Sequence, residues 1–210
     1  VTTRNCPPRH DRNNVRVIFF HMPKTGGTTL TQTFRNTDRF WSMKHVPPKS
    51  GRTAWTDEQW NRAFKVGMLR NPYDRYVSAY FYFYFRRQQR PAGKPTLANS
   101  VNGFEHWYRS GMKGMKTHWK TAWIHYIVPQ KGQDILDHYY RMEDMDENIL
   151  DLSRRMEIEP PSVETQNVSQ FRPTRDWRPY YKDASILANI HDACAWEFEK
   201  GGYEKIPVKR

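Results

Sequence analysis

The chain has 210 residues and carries 34 Lys and Arg against 22 Asp and Glu, a formal net charge of +12. That length suits one domain with one core, and the positive excess favours anionic partners such as nucleotides or polyanions without naming a reaction. Two cysteines, Cys6 and Cys194, exclude a disulfide framework and a Cys-rich zinc site while leaving room for one bridge, and no run of about 18 apolar residues offers a membrane span.

Residues 1–14 read as a polar arm without the apolar segment of a signal peptide, so the chain is expected to be soluble, and residues 15–205 as a single domain. Val15 to Phe20 is an apolar strand. It leads into His21-Met22-Pro23-Lys24-Thr25-Gly26-Gly27-Thr28-Thr29-Leu30 and a helix over 28–36 with Thr28 or its neighbour as cap. A strand, a glycine turn and a helix start gather backbone N–H groups around a pocket that suits a phosphate. The next stretch, Trp41 to Arg52, is basic and holds Lys44, His45 and two prolines, the composition of a loop. Thr56 with Gln59 has the spacing of a capping box at the head of a short helix.

A second apolar strand, Phe64 to Leu69, runs into Arg70-Asn71-Pro72-Tyr73-Asp74-Arg75 and an aromatic helix in which Tyr73, Val77, Tyr80 and Tyr84 fall at helical spacing. Those aromatics read as core. Residues 86–103, rich in Arg, Pro, Gly and Asn, read as a long loop, and helix resumes at Phe104 to Arg109 and around Trp119 to Tyr126. A strand at Asp137 to Met142, a helix from Met145 to Met156, an irregular piece and a final helix from Asp183 to Glu199 complete the pattern. Strands alternating with helices imply a three-layer α/β domain with a mostly parallel sheet.

The lysine of the first motif precedes its glycines, so the P-loop pattern G-x-x-x-x-G-K-[ST] is not met, and the dinucleotide pattern G-x-G-x-x-G is absent. Ligands of an open parallel sheet bind beyond the carboxyl ends of its strands, so two strand ends carrying anion-binding groups suit the two phosphates of one nucleotide. Arg70 supplies a planar fork for a phosphate, and Ser78, two helical turns on, a hydroxyl.

Together, Pro23 to Thr29 after one strand and Arg70 to Tyr80 after a later one resemble the two phosphosulfate-binding motifs of sulfotransferases that use 3′-phosphoadenosine 5′-phosphosulfate (PAPS). Arg141-Met142-Glu143-Asp144-Met145 is similar to the R-(F/Y)-E-x-L segment of Golgi-type and bacterial carbohydrate sulfotransferases, Asn167-Val168-Ser169 to their N-x-S, and Tyr180-Tyr181 through Gly202-Tyr203 to their closing helix. Phe198-Glu199-Lys200-Gly201-Gly202-Tyr203 departs from their compact F-G-Y ending.

The resemblance implies a P-loop-like nucleotide-binding sulfotransferase fold. It implies that Lys24, Thr25, Gly26, Gly27, Thr28 and Thr29 hold the 5′-phosphosulfate, that Arg70 and Ser78 hold the 3′-phosphate, and that PAP is the product. Such transfer needs alignment and charge neutralisation rather than a metal. By the same resemblance His45 is the first candidate for the general base, with His118 the second, and Glu143 orders the cofactor loops. The acceptor is expected to be a hydroxyl on a carbohydrate, met by Lys44, Arg86 and Arg87 if it is anionic; neither a membrane nor a nucleic acid is an expected partner. Two other classes fit less well: a non-catalytic polyanion or nucleic-acid binder leaves the paired motifs unexplained, and a nucleotide kinase would require magnesium and ATP.

Overall fold

The computed structural model describes residues 11–85, 95–115, 134–162 and 172–208. The chain divides into two units, one built from residues 1–69 and 126–167, the other from 70–125 and 168–210.

The first unit is a four-stranded sheet of order β2-β1-β3-β4, parallel throughout. Its strands are β1 (Val17–His21), β2 (Phe40–Lys44), β3 (Phe64–Leu69) and β4 (His138–Arg141). Every residue of β1 is buried, as a strand with neighbours on both sides and helices on both faces must be. On one face Val17 and Phe19 pack with Leu30 of α1 (Gly27–Thr33), with Phe34 at its C-cap and with helix Met145–Met156. On the other, Phe20 meets Gly51 of α2 (Pro48–Arg52) and Trp60 of α3 (Asp57–Arg62). Thr56 and Gln59 form the capping box expected at the head of α3. Lys65 joins β3 to the approach of β4: its Nζ lies 3.0 Å from Asp137, whose carboxylate also accepts the Lys65 backbone N–H.

The second unit holds α4 (Pro72–Tyr80), continued by a π-helical turn Phe81–Phe85, and α5 (Leu97–Arg109). After α6, the Met145–Met156 helix of the first unit, it is completed by α7 (Ala184–Ala193) and α8 (Ala195–Gly201). Its core is aromatic, with Tyr73, Tyr76, Tyr80, Phe104, Trp107 and Tyr180 all fully buried. Gly103 lets α5 approach α4, since a Cβ there would overlap the Tyr80 hydroxyl.

Four sequence expectations need correction. The basic stretch 41–52 is not a loop: β2 pairs with β1 along its length, and α2 follows it. Only Phe40 and Met43 of β2 are buried, because it lies at an edge of this sheet, where Trp41 and Ser42 stay partly exposed and Lys44 is exposed. α5 begins at Leu97, not Phe104, because the Thr96 hydroxyl accepts the Asn99 N–H as an N-cap. α1 starts at Gly27 after a left-handed Gly26, and no side chain caps it. The closing helix is broken at Cys194, whose backbone ends α7 and starts α8. Cys194 is a buried free thiol, 3.6 Å from an Arg75 nitrogen; Cys6 lies outside the described residues.

Candidate functional site

In the first unit, β1 ends at His21 and residues 22–26 turn the chain into α1. The turn uses left-handed backbone at Lys24, φ 67°, and at Gly26, φ 80°. The Thr25 hydroxyl points inward and donates to the Met22 carbonyl at 3.0 Å, and the Thr29 N–H donates to the Gly26 carbonyl at 2.9 Å. Burial therefore alternates: Thr25, Gly27 and Thr29 face in, while Lys24, Gly26 and Thr28 reach the surface. Apart from Thr29, the first N–H groups of α1 are left without intrahelical acceptors, and the turn that leads into them carries the positive charge of Lys24. Such a turn attracts an anion. Thr25 can serve one only through its backbone, its hydroxyl proton being engaged.

The segment Arg141 to Met145 meets this turn through its methionines. A Cβ on Gly26 would lie 2.8 Å from Met142 Cγ and 3.1 Å from Met145 Cε, so a side chain there would push the two methionines off the loop. Glu143 itself is exposed.

Two imidazoles stand at the same end of the sheet. The His45 N–H donates to the His21 carbonyl at 3.0 Å, continuing the β1–β2 ladder by one bond, and the two rings lie 5.0 Å apart between centroids at 59°. His45 is half-buried and, like Lys24, left-handed, with φ 57°. His21 is buried, stacked on Phe19, and sits so close under Gly27 that any Cβ there would overlap its ring. Burial, with the nearby His45, Lys44 and Lys24, lowers its pKa to about 3, so it is neutral at ordinary pH. Lys44 is the exposed last residue of β2.

In the second unit, Arg70, just before the N-cap of α4, is followed at four-residue spacing by Asp74 and Ser78 on one face of that helix, and each is partly exposed where most of α4 is buried. Asn71 caps the helix by accepting the Tyr73 N–H at 3.0 Å, with Pro72 in its first turn. Arg70 Nε donates to Asp74 Oδ2 at 2.8 Å. Arg172 Nη1 donates to the other oxygen, Oδ1, at 2.7 Å, and Arg172 also binds the carbonyls of Thr174 and Arg175. Two guanidinium groups against one carboxylate leave the cluster positive, and the shared Asp74 fixes both forks in place.

His118, Arg86 and Arg87 lie outside the described residues, as does Asn167. The residues that sequence reading passed over are His21, Asp74 and Arg172. Asp74 stood four positions after Arg70 on a helix, a signal in plain view; Arg172, 98 residues further along, had none. Among the described residues no group of His, Cys, Asp and Glu is placed to hold a metal ion, and no helix is long and apolar enough to cross a membrane.

No curated protein matches this sequence. Residues 10–192 match the model of the sulfotransferase family. That span takes in the Lys24 turn, the two imidazoles and the Arg70–Asp74–Ser78 face, and it reaches into the closing helices. The chain belongs to the sulfotransferase family and is an enzyme of sulfuryl transfer.

Proposed function

We propose that the enzyme moves the sulfuryl group from PAPS to a hydroxyl of a carbohydrate. The observation that carries this reading is the turn after β1, where a left-handed lysine and the first turn of α1 meet beside a half-buried histidine, within a chain of the sulfotransferase family. Lys24 and the backbone of residues 25–29 would hold the 5′-phosphosulfate, and Arg70 with Ser78 the 3′-phosphate. PAPS supplies an activated sulfuryl group whose leaving phosphate gains negative charge, the charge that Lys24 is suited to neutralise. Thr28 reaches the surface of the turn and adds a hydroxyl donor.

His45 is the base in this reading. Of the two imidazoles it is the partly exposed one, and its neighbour's burial keeps the other neutral. It takes the proton of the acceptor hydroxyl as the new S–O bond forms, in line with departure of the 5′-phosphate. A glycan acceptor rests on the sequence resemblance, and Lys44, with Arg86 and Arg87, would meet one bearing negative charge.

The test is an acceptor screen with sulfur-labelled PAPS across glycans, small alcohols, lipids and tyrosyl peptides, run beside a direct measurement of PAP binding. Labelled glycan product together with PAP binding supports the reading. Absence of PAP binding would remove the donor assignment, and transfer to a non-glycan alone would remove the carbohydrate.

A further inference from the structure

The described part of His21 that the proposed reaction does not use is its Nδ1. This nitrogen is buried and has no hydrogen-bond partner among the described residues. Buried polar atoms are mostly paired, so one that is not calls for a physical reason. The ring is held on three sides: Phe19 stacks on it at 5.8 Å between centroids, the backbone of Gly27 closes over it, and His45 lies against it at 5.0 Å. A separation of 5.0 Å between ring centroids is compatible with a nitrogen of one imidazole lying within hydrogen-bond reach of the other. Neither Phe19 nor Gly27 offers a side-chain partner, whereas His45 does.

We propose that His21 is a positioning residue for sulfuryl transfer, its Nδ1 accepting the ring N–H of His45 so that the other nitrogen of His45 faces the acceptor hydroxyl. The proposal rests on the reading of His45 as the base. His21 carries its own proton on Nε2. During transfer the acceptor O–H bond breaks and its proton goes to the nitrogen of His45 that faces the acceptor. The acceptor oxygen bonds to sulfur while the bond from sulfur to the 5′-phosphate oxygen breaks. His45 becomes an imidazolium whose second N–H remains on His21, and no proton passes to His21. A base oriented by a third group is the general logic of catalytic triads.

Burial supports this division of labour, because it holds the pKa of His21 near 3 and so keeps it an acceptor while His45 gains charge. The charged side chains acting on His21 are Lys24, from the turn after β1, and Lys44, from β2. Both oppose a second positive charge, which makes a neutral partner for the imidazolium the more useful.

The experiment uses the full chain with His21→Phe, which keeps a ring under Gly27 but has no Nδ1, and His21→Asn, whose amide oxygen restores an acceptor. The titration of the His45 ring is followed by NMR without PAPS or acceptor, and kcat is measured against pH. His21→Phe is expected to lower the His45 midpoint by about half a unit, roughly threefold in its ionisation constant. The rising limb of kcat should move with it, kcat should fall about tenfold, and KM for PAPS should hardly change; His21→Asn should recover part of each. A His45 midpoint and a kcat profile unaltered in a folded His21→Phe protein would overturn the proposal. If His21→Phe does not fold, nitrogen–nitrogen coupling between the two rings in the labelled wild-type chain decides: its detection supports the proposal, and its absence at a pH where His45 is charged overturns it. Retained turnover in His45→Ala would instead remove the base assignment while leaving the ring-to-ring hydrogen bond measured.

Discussion

Removing His21 should change how the stability of this enzyme depends on pH, by an amount that burial sets. An unfolded histidine titrates near 6.5, whereas folded His21 is held to about 3. Between those values the unfolded chain binds a proton that the folded chain does not, so stability contributed by neutral His21 is full above pH 6.5 and is lost as pH falls toward 3. From pH 7 to pH 5 the loss is about 2 kcal/mol, worked from 1.36 kcal/mol for each unit below 6.5. That figure is insensitive to the folded value so long as it lies well under 5. The assay is urea denaturation of the wild type and of His21→Phe at pH 7 and pH 5, taking the difference of differences so that titrating groups away from His21 cancel, with the His45 midpoints measured by NMR in each protein used to subtract its share. His21→Phe should lose about 2 kcal/mol less than the wild type over this interval. Equal losses in the two proteins would show that His21 is protonated in the folded state, and with it would go the argument that His45 alone takes up charge.

Other substitutions probe the two anion-binding ends separately. Arg70→Ala should weaken PAP binding far more than binding of adenosine 5′-phosphosulfate, which lacks the 3′-phosphate, as calorimetry with the two ligands would show; equal losses would assign Arg70 a structural role through Asp74. Gly27→Ala places a methyl group on the His21 ring, and overpacking of this kind costs about 1–3 kcal/mol, readable as a lower denaturation midpoint; a variant as stable as the wild type would mean that the contact of α1 with His21 is loose.

Strands β1 and β3 and helices α4 and α6 were legible because their neighbours cover them, and coverage selects apolar residues in continuous or helical runs. β2 was not. Its burial is confined to Phe40 and Met43, and the lysines and prolines that follow carry the composition of a loop although Pro48 begins α2. The start of α5 was hidden in the same way: Asn99, Ser100, Asn102 and Gly103 look like loop residues. Yet Ser100 bonds back to the Thr96 carbonyl at 2.9 Å, and Gly103 is small because Tyr80 lies against it. Within the candidate site, residues defined by local spacing could be singled out, as Lys24 and Arg70 were proposed from their motifs. Residues defined by what lies across the sheet or far along the chain could not, which is why a histidine at a strand end and an arginine beyond the N-x-S segment passed as background.

Backbone conformation offers a test of the residues proposed for the reaction. Four described residues other than glycine have positive φ: Lys24, His45, Met112 and Glu157. Two of these end helices, where the left-handed conformation is ordinary. The Met112 N–H donates to the Trp107 carbonyl at 2.9 Å, and Glu157 terminates α6 with its N–H on Arg154. Lys24 and His45 end no helix; they follow two adjacent strands of one sheet. A side chain there is disfavoured by about 1–2 kcal/mol relative to glycine, while glycine gives back about 0.5–1 kcal/mol through the freedom of its unfolded chain. Lys24→Gly and His45→Gly should therefore leave stability unchanged within about 1 kcal/mol or raise it slightly. Turnover should nonetheless fall on the order of a hundredfold or more in each, through loss of a charge contact at Lys24 and of a base at His45. Met112→Gly, with the same change at a helix end, is the control, and its turnover should equal that of the wild type. A folded, stable Lys24→Gly enzyme with normal turnover would leave its strained conformation without a function, and the donor site would have to be sought away from the turn after β1.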